Sequence, residues 1–305
     1  MTTIRALSML AVVVAPLVAC SAGSSDDSVQ GDPQALTECD ANGTWAIRVS
    51  VPVKWNPSFV VQGGSGTVTN WLKTKRVQNG LEVTDTAEIC GVETPDYTAT
   101  PLFGAEKYGV RFPDSTFGTL PTFELKGTVS SKEVGATFTA PASAALVGAT
   151  LPNALTDAWP RDVGALTAQD VDNDTKPGLT GNAASGTGFS NPPVNPTRTV
   201  RAKQVYAAFR QVLEASTGTV KSCDRVEGTA KIAVIAGKAA IDSHVMGCLR
   251  EDGTECAAAE FKLLDTAAPV YTPTADATIT MVKLPAGATA TCADARAAAF
   301  APATP

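Results

Sequence analysis

Histidine is nearly missing from this 305-residue chain, with His244 the only one. One imidazole is too few for a histidine-rich zinc site, and it leaves a single candidate base for a nucleophilic triad. No Gly-x-Ser-x-Gly elbow occurs, and no Cys-x-x-Cys pair. Gly63-Gly64-Ser65-Gly66 is not followed by Gly-Lys-Ser/Thr, so it reads as a turn and not as a phosphate-binding loop. Charge is sparse at 18% of residues, and the only basic group is Lys73, Lys75 and Arg76. With a net charge of −6 this disfavours nucleic acid and anionic lipid faces as partners. No apolar run reaches the roughly 20 residues that a membrane-spanning helix needs.

The first twenty residues do carry a pattern. Arg5 precedes a mostly apolar stretch from Ala6 to Ala19, the length of the apolar centre of an export signal. The stretch ends Leu17-Val18-Ala19-Cys20, which resembles the lipobox of bacterial lipoprotein precursors, Leu-x-Ala-Cys. In that class the cysteine receives a diacylglyceryl group, the signal is removed, and the new amino terminus is often acylated. The resemblance covers residues 1–20 alone. It implies lipidation of Cys20 and a protein anchored to a membrane without spanning it. Ser21 stands where an Asp marks inner-membrane retention in enterobacteria-like systems, so the implied address is the cell envelope at the outer membrane. On this reading 1–19 is the signal, and the small, polar, acidic residues of 20–38 form a flexible tether.

Six cysteines remain: Cys39, Cys90, Cys223, Cys248, Cys256 and Cys292. An even number in an exported chain reads as three disulfides. Cys248 and Cys256 flank the turn signal Asp252-Gly253, which suits a cross-linked hairpin. Cys39–Cys90 is the next expectation, because no other cysteine lies in the first half, and Cys223–Cys292 follows by elimination.

Trp45, Ile47, Val49, Val51, Val53 and Trp55 are apolar at every second position, the clearest strand signal in the chain. Pro52 within it argues for an edge or a bulge. Leu81, Val83, Ala87 and Ile89 suggest a second strand with Glu82, Thr84, Thr86 and Glu88 on its other face, and a hairpin follows around Ser130-Ser131. Residues 152–198 are rich in Asp, Asn, Gly, Pro and Thr and hold no periodic run. Val205–Leu213 fits a strand or a helix, and strand patterns return at Ala230–Val234, Ala239–Val245 and Ile279–Met281. The fold expected is mostly β: an antiparallel barrel or two-sheet sandwich with β-rich halves at 39–151 and 199–305, joined by a long irregular connection at 152–198. A faint echo of Trp45–Trp55, Thr67–Val77 and Leu81–Cys90 in Val205–Leu213, Arg225–Ile235 and Ala239–Cys248 suggests two similar halves.

Asp170, Asp172 and Asp174 alternate in a short loop, so their oxygens can converge on a hard cation such as Ca2+. The spacing resembles the start of the calcium loops of EF-hand, dockerin and thrombospondin type 3 modules. It departs from them at Thr175, where the EF-hand has its turn glycine, and at Gly181, where it has a Glu. Any missing ligand would come from Asp157 or Asp162; the plain alternative is a solvated acidic turn. His244 shares a strand face with Asp242 while Ser243 points away, so no catalytic residue is assigned. Glu82, Glu88, Glu93 and Asp96 are the carboxylates a hydrolase would need. Trp45, Trp55, Trp71 and Trp159 read as core anchors or strand caps, with a binding role open for Trp71 and Trp159. The leading expectation is a non-enzymatic envelope lipoprotein, a structural or interaction module stiffened by Ca2+, held to the membrane through Cys20. Its partner would be another envelope protein or a small apolar ligand. A lipocalin-like carrier of an apolar ligand and a carboxylate hydrolase are the alternatives; the carrier requires a cavity of a few hundred Å³ lined by Ile47, Val49 and Val51.

Overall fold

The computed structural model describes residues 38–300 apart from 118, 185 and 287–289. Cys20, the signal and nearly all of the tether lie outside the described residues. In chain order the strands of four or more residues are β1 (Gly43–Trp55), β2 (Gly64–Asn79), β3 (Glu82–Glu93), β4 (Phe123–Val129), β5 (Thr137–Ala140) and β6 (Ser143–Val147). They continue with β7 (Leu179–Asn182), β8 (Ala202–Leu213), β9 (Ser216–Ser222), β10 (Arg225–Ala230), β11 (Ile241–Arg250) and β12 (Ala277–Lys283). The two longer helices are α1 (Ala258–Ala267) and α2 (Cys292–Phe300).

Eight strands close an antiparallel barrel in the order β1–β12–β10–β9–β5–β4–β3–β2, with β2 returning to β1. The period-two pattern of β1 is the reason. Trp45, Ile47, Val49, Val51 and Val53 all point into the barrel and are at most 6% exposed, each contributing about 1.5–3 kcal/mol of burial. Pro52 is not on an edge strand. It faces the gap between the Ser50↔Thr278 and Val53↔Pro273 pairings, where the neighbouring strand is interrupted, so its missing amide costs no ladder bond. At one end of the barrel the Trp45 indole donates to the Ala41 carbonyl (2.7 Å). At the other, the Trp55 indole donates to Gln62 (2.9 Å) and its ring meets Tyr271 edge-on.

The second sheet is β8 flanked by β11 on one side and by β6 and β7 on the other. It grows out of the barrel: β5 and β9 pair as barrel strands, and the same two chain segments continue as β6 and β8 and pair again. Val205–Leu213 is thus a strand. The irregular connection contributes β7, whose Leu179 is fully buried. α1 packs Leu264 and Phe261 against this sheet, and α2 covers Ala46 and Trp71 on the outer wall of the barrel.

Three expectations are corrected. The disulfides are Cys39–Cys223, Cys90–Cys292 and Cys248–Cys256; only the last pairing matches. Barrel closure sets the strands near the two chain ends side by side, so the first and last thirds are bridged to each other and not within themselves. The two halves do not repeat. β1, β2 and β3 are adjacent barrel strands, whereas of their supposed counterparts β10 is in the barrel and β8 and β11 are in the second sheet. Leu81 also leaves the expected inner face: it is 47% exposed, just after the turn at Gly80.

Candidate functional site: a cavity in the barrel

The barrel interior is only partly filled. A cavity of about 540 Å³ lies against Ile47, Val49, Leu72, Phe138, Ile279 and Met281. Ile47 and Val49 are where the alternation placed them, while Val51 is wholly buried and does not line it. The mouth is formed where the wall parts. β4 and β5 pair only through Thr128↔Thr139 and Val129↔Phe138. Beyond these rungs β4 keeps its course along β3, and the other strand departs as β6. Phe123, Leu125, Ala142 and Ala144 line this gap, and Pro152, Ala154 and Leu155 of the connection lie across it.

Polar groups in the barrel were missed by the sequence reading, although strand parity carries them. On β2 the inward positions are Val68, Asn70, Leu72, Thr74 and Arg76, and on β3 Val83, Asp85 and Ala87. Arg76 and Asp85 form a buried two-pronged ion pair, Nε–Oδ1 2.9 Å and Nη2–Oδ2 2.7 Å. Thr74 adds a hydroxyl donor to Asp85 at 3.1 Å, and the Arg76 guanidinium lies 4.5 Å over the Trp45 ring. Asp85 therefore reaches the cavity lining already neutralised. Asn70 donates to Gln211 Oε1 (2.5 Å), joining the barrel to β8 of the second sheet. Both side chains are more than nine-tenths buried, both line the cavity, and Gln211 Nε2 has no partner among the described residues.

The segment across the mouth is fixed from beneath. Arg210 binds Asp242 Oδ2 through Nε and Nη2 (2.9 and 2.6 Å) and donates Nη1 to the Asp157 carbonyl (2.5 Å). Trp159 stacks on His244 (5.6 Å between centroids) and lies 5.4 Å from the Arg210 guanidinium. His244 contacts Asp265 through Nδ1 (2.8 Å) and the Pro160 carbonyl through Nε2 (2.8 Å). Two acceptors on one ring require both nitrogens to donate, which only the imidazolium does. Burial, the largest influence, pulls the His244 pKa down, but Asp265, the Pro160 carbonyl and the charge of Asp242 outweigh it and the net direction is up. The histidine is thus a fastening of the connection, and Ser243 takes no part in it.

The loop carboxylates of Asp170, Asp172 and Asp174 do come together, with one oxygen of each within 4.8 Å of the others. Backbone amides occupy several of these oxygens: Asp170 accepts from Asp174 and Thr175, and Asp172 from Thr180. Asp172 Oδ1 is shut from solvent and has no hydrogen-bond partner among the described residues. Its carboxyl is pushed up, first by burial and further by the charges of Asp174 and Asp170. Asp157 and Asp162 do not join them; Asp157 accepts from the Asn153 amide and Asp162 from Gly164. The hydrolase carboxylates are dispersed: Glu88 pairs with Lys73, Asp96 with Arg111, and Glu82 and Glu93 are exposed. Trp45 and Trp55 are buried near opposite ends of β1, and Trp71 is buried beneath α2.

No family model matches the chain, and searches of curated proteins and of solved structures return no match.

Proposed function

We propose that the protein is a carrier that holds one apolar molecule inside its barrel, and that lipid on Cys20 tethers it to the bacterial envelope at the outer membrane. One observation carries the first part: a cavity of about 540 Å³, walled by aliphatic and aromatic side chains and reached through a gap in the barrel wall. That volume lies in the usual range for small-molecule sites. A barrel serving only as a rigid module gains nothing from such a void, because each unfilled space forfeits packing energy. The tether is supported by the Leu-x-Ala-Cys pattern alone.

Titration of the full-length protein with the apolar dye phenylnaphthylamine tests the carrier. Saturable binding of one dye per chain is expected, and Ala144→Trp at the mouth or Ile279→Trp inside should remove most of it. Dye binding that ignores both substitutions refutes the reading. For the tether, Cys20→Ser should abolish fatty-acid labelling and release the protein from membranes; an unlabelled parent protein overturns it.

The three clustered loop carboxylates favour a second, compatible reading, in which Ca2+ stiffens 152–198 as a structural element of an interaction module. Calorimetric titration with Ca2+ should give binding heat that Asp172→Ala abolishes, and an unchanged heat disposes of it.

A further inference from the structure

The cavity selects for more than apolarity. We infer that its ligand is an uncharged amphiphile, a chain or ring system with one neutral hydrogen-bonding group such as a ketone, ester or alcohol, and that this group lies inside against the amide pair Asn70–Gln211. The inference rests on the carrier reading and narrows it to a ligand class.

Three features lead to it. The first is the pair itself. Asn70 and Gln211 are 8% and 7% exposed, set among Val68, Ile89, Leu72 and Phe209, and they join two elements that apolar residues could have joined as well. Burying amides in such surroundings is unfavourable unless their hydrogen bonds are made. The one bond between them leaves Gln211 Nε2 unmatched among the described residues. Turning the terminal amide of Gln211 about its last torsion, which is soft for a planar group, would let the pair offer a donor or an acceptor to a neighbour in the cavity. A ligand carbonyl or hydroxyl supplies what the protein does not.

The second feature is the absence of an available charge in the lining. Among the described residues Asp85 is the only buried ionised side chain there, and Arg76 and Thr74 already satisfy it. A carboxylate or ammonium carried inside would meet no counter-charge, and an unpaired buried ion is strongly disfavoured. At the rim, Glu124 and Lys126 pair with each other at 3.1 Å, so the mouth has no net charge to recruit an ionic headgroup.

The third feature is that the pair belongs to both bodies of the fold. Asn70 is on barrel strand β2 and Gln211 on β8, and each lines the large cavity and also a smaller one of about 40 Å³ between barrel and second sheet. A ligand group bonded there is held at the seam, away from the exposed rim.

The test is displacement of phenylnaphthylamine from the full-length protein by decane, decan-2-one, methyl decanoate and decanoate. Methyl decanoate and the ketone should displace the dye, and decanoate at about pH 8, where it is ionised, should need at least tenfold more. In the double variant Asn70→Leu/Gln211→Leu, ketone affinity should fall by about tenfold, the worth of a good hydrogen bond, while decane affinity holds or rises. Equal displacement by the ester and the ionised acid overturns the inference without any variant. Parallel changes for ketone and decane in the double variant overturn it too. Either result leaves the carrier itself standing; failure of the dye to bind the parent protein brings down both.

Discussion

The Arg76–Asp85 pair offers the sharpest test of the barrel interior. Its two side chains are 2% and 5% exposed, and they make two mutual hydrogen bonds beneath the Trp45 ring. Asp85→Asn keeps the shape of the site and removes the counter-charge. Arg76 then stays buried as an uncompensated cation, which costs about 3–5 kcal/mol. For a domain of this size each kcal/mol moves the melting temperature by roughly 2–4 °C, so a fall of about 6–20 °C is expected. Replacing both members is a different perturbation. In Arg76→Met/Asp85→Leu no charge remains to be stranded, and the methionine can fill much of the space that the arginine side chain occupies beside Trp45 and Phe138. Exchanges of this kind are often neutral or stabilising. The double variant should therefore lie within about 1 kcal/mol of the parent; measured against its matching singles, Arg76→Met and Asp85→Leu, each of which removes one partner of the buried pair, this gives a coupling energy of at least about 3 kcal/mol. Urea unfolding of the oxidised protein, with all variants at one pH and salt concentration, measures it. A cost below about 1 kcal/mol for Asp85→Asn would show that water reaches the pair, and a double variant as unstable as the sum of the singles would show that the two residues do not depend on each other.

Three further outcomes follow from other parts of the chain. His244 has a folded pKa above its unfolded value, so its contribution to stability is complete below an unfolded pKa of about 6.5 and is lost as pH rises through the folded value; urea midpoints should decline over that window in the parent and flatten in His244→Gln, and parallel profiles would refute the imidazolium assignment. Removing the Cys90–Cys292 bridge, which joins residues 202 apart, by paired substitution to Ala should cost about 3–5 kcal/mol and expose Trp71 to quenchers as α2 loosens, whereas an unchanged urea midpoint would contradict it. A Cβ on Gly64 would lie 2.5 Å from Cζ2 of Trp55, so Gly64→Ala should cost about 1–3 kcal/mol through forced repacking, read as a shift in melting temperature; a neutral result would mean that the Trp55 ring moves freely.

Much of the barrel could be read in advance because β1 alternates cleanly over eleven residues, from Trp45 to Trp55, and a strand carries its facing in its parity. The same rule would have found Asp85, which sits between inward Val83 and Ala87, and Arg76, two places beyond Thr74. They are hidden when a polar residue is taken as evidence of the outer face, and it is the ion pair, a relation between two strands, that makes the inner face tolerable. The disulfides defeated reasoning from sequence proximity because β1 and β12, far apart in the chain, are neighbours in the barrel. The β7 strand has four residues, Leu179 to Asn182, too few to show a period. The three loop aspartates were legible from spacing, since alternate residues in a tight loop converge whatever surrounds them. The cavity was foreseeable only as a requirement: a list of inward residues does not say whether their volumes fill the space they enclose.

The location of the mouth follows from how the two sheets share strands. Trp45 lies over Arg76 at one end of the barrel and Trp55 packs against Tyr271 at the other, so the carrier proposed above would load through the wall. A complete ladder would forbid that, because every rung broken for passage leaves backbone groups unpaired. Here no rung needs to break. Pro141 follows β5 and cannot donate to a ladder, and beyond it the chain pairs with β8 in the second sheet. Phe123–Lys126 of β4 thereby keeps one edge without a strand partner among the described residues. Such an edge invites pairing with another chain. Its exposed positions are Glu124 and Lys126, charges that oppose such pairing, while Phe123 and Leu125 line the opening between them. The alternation that builds a strand thus separates two tasks on one free edge, with polar residues guarding it against other strands and apolar residues lining the opening through which the proposed ligand would enter.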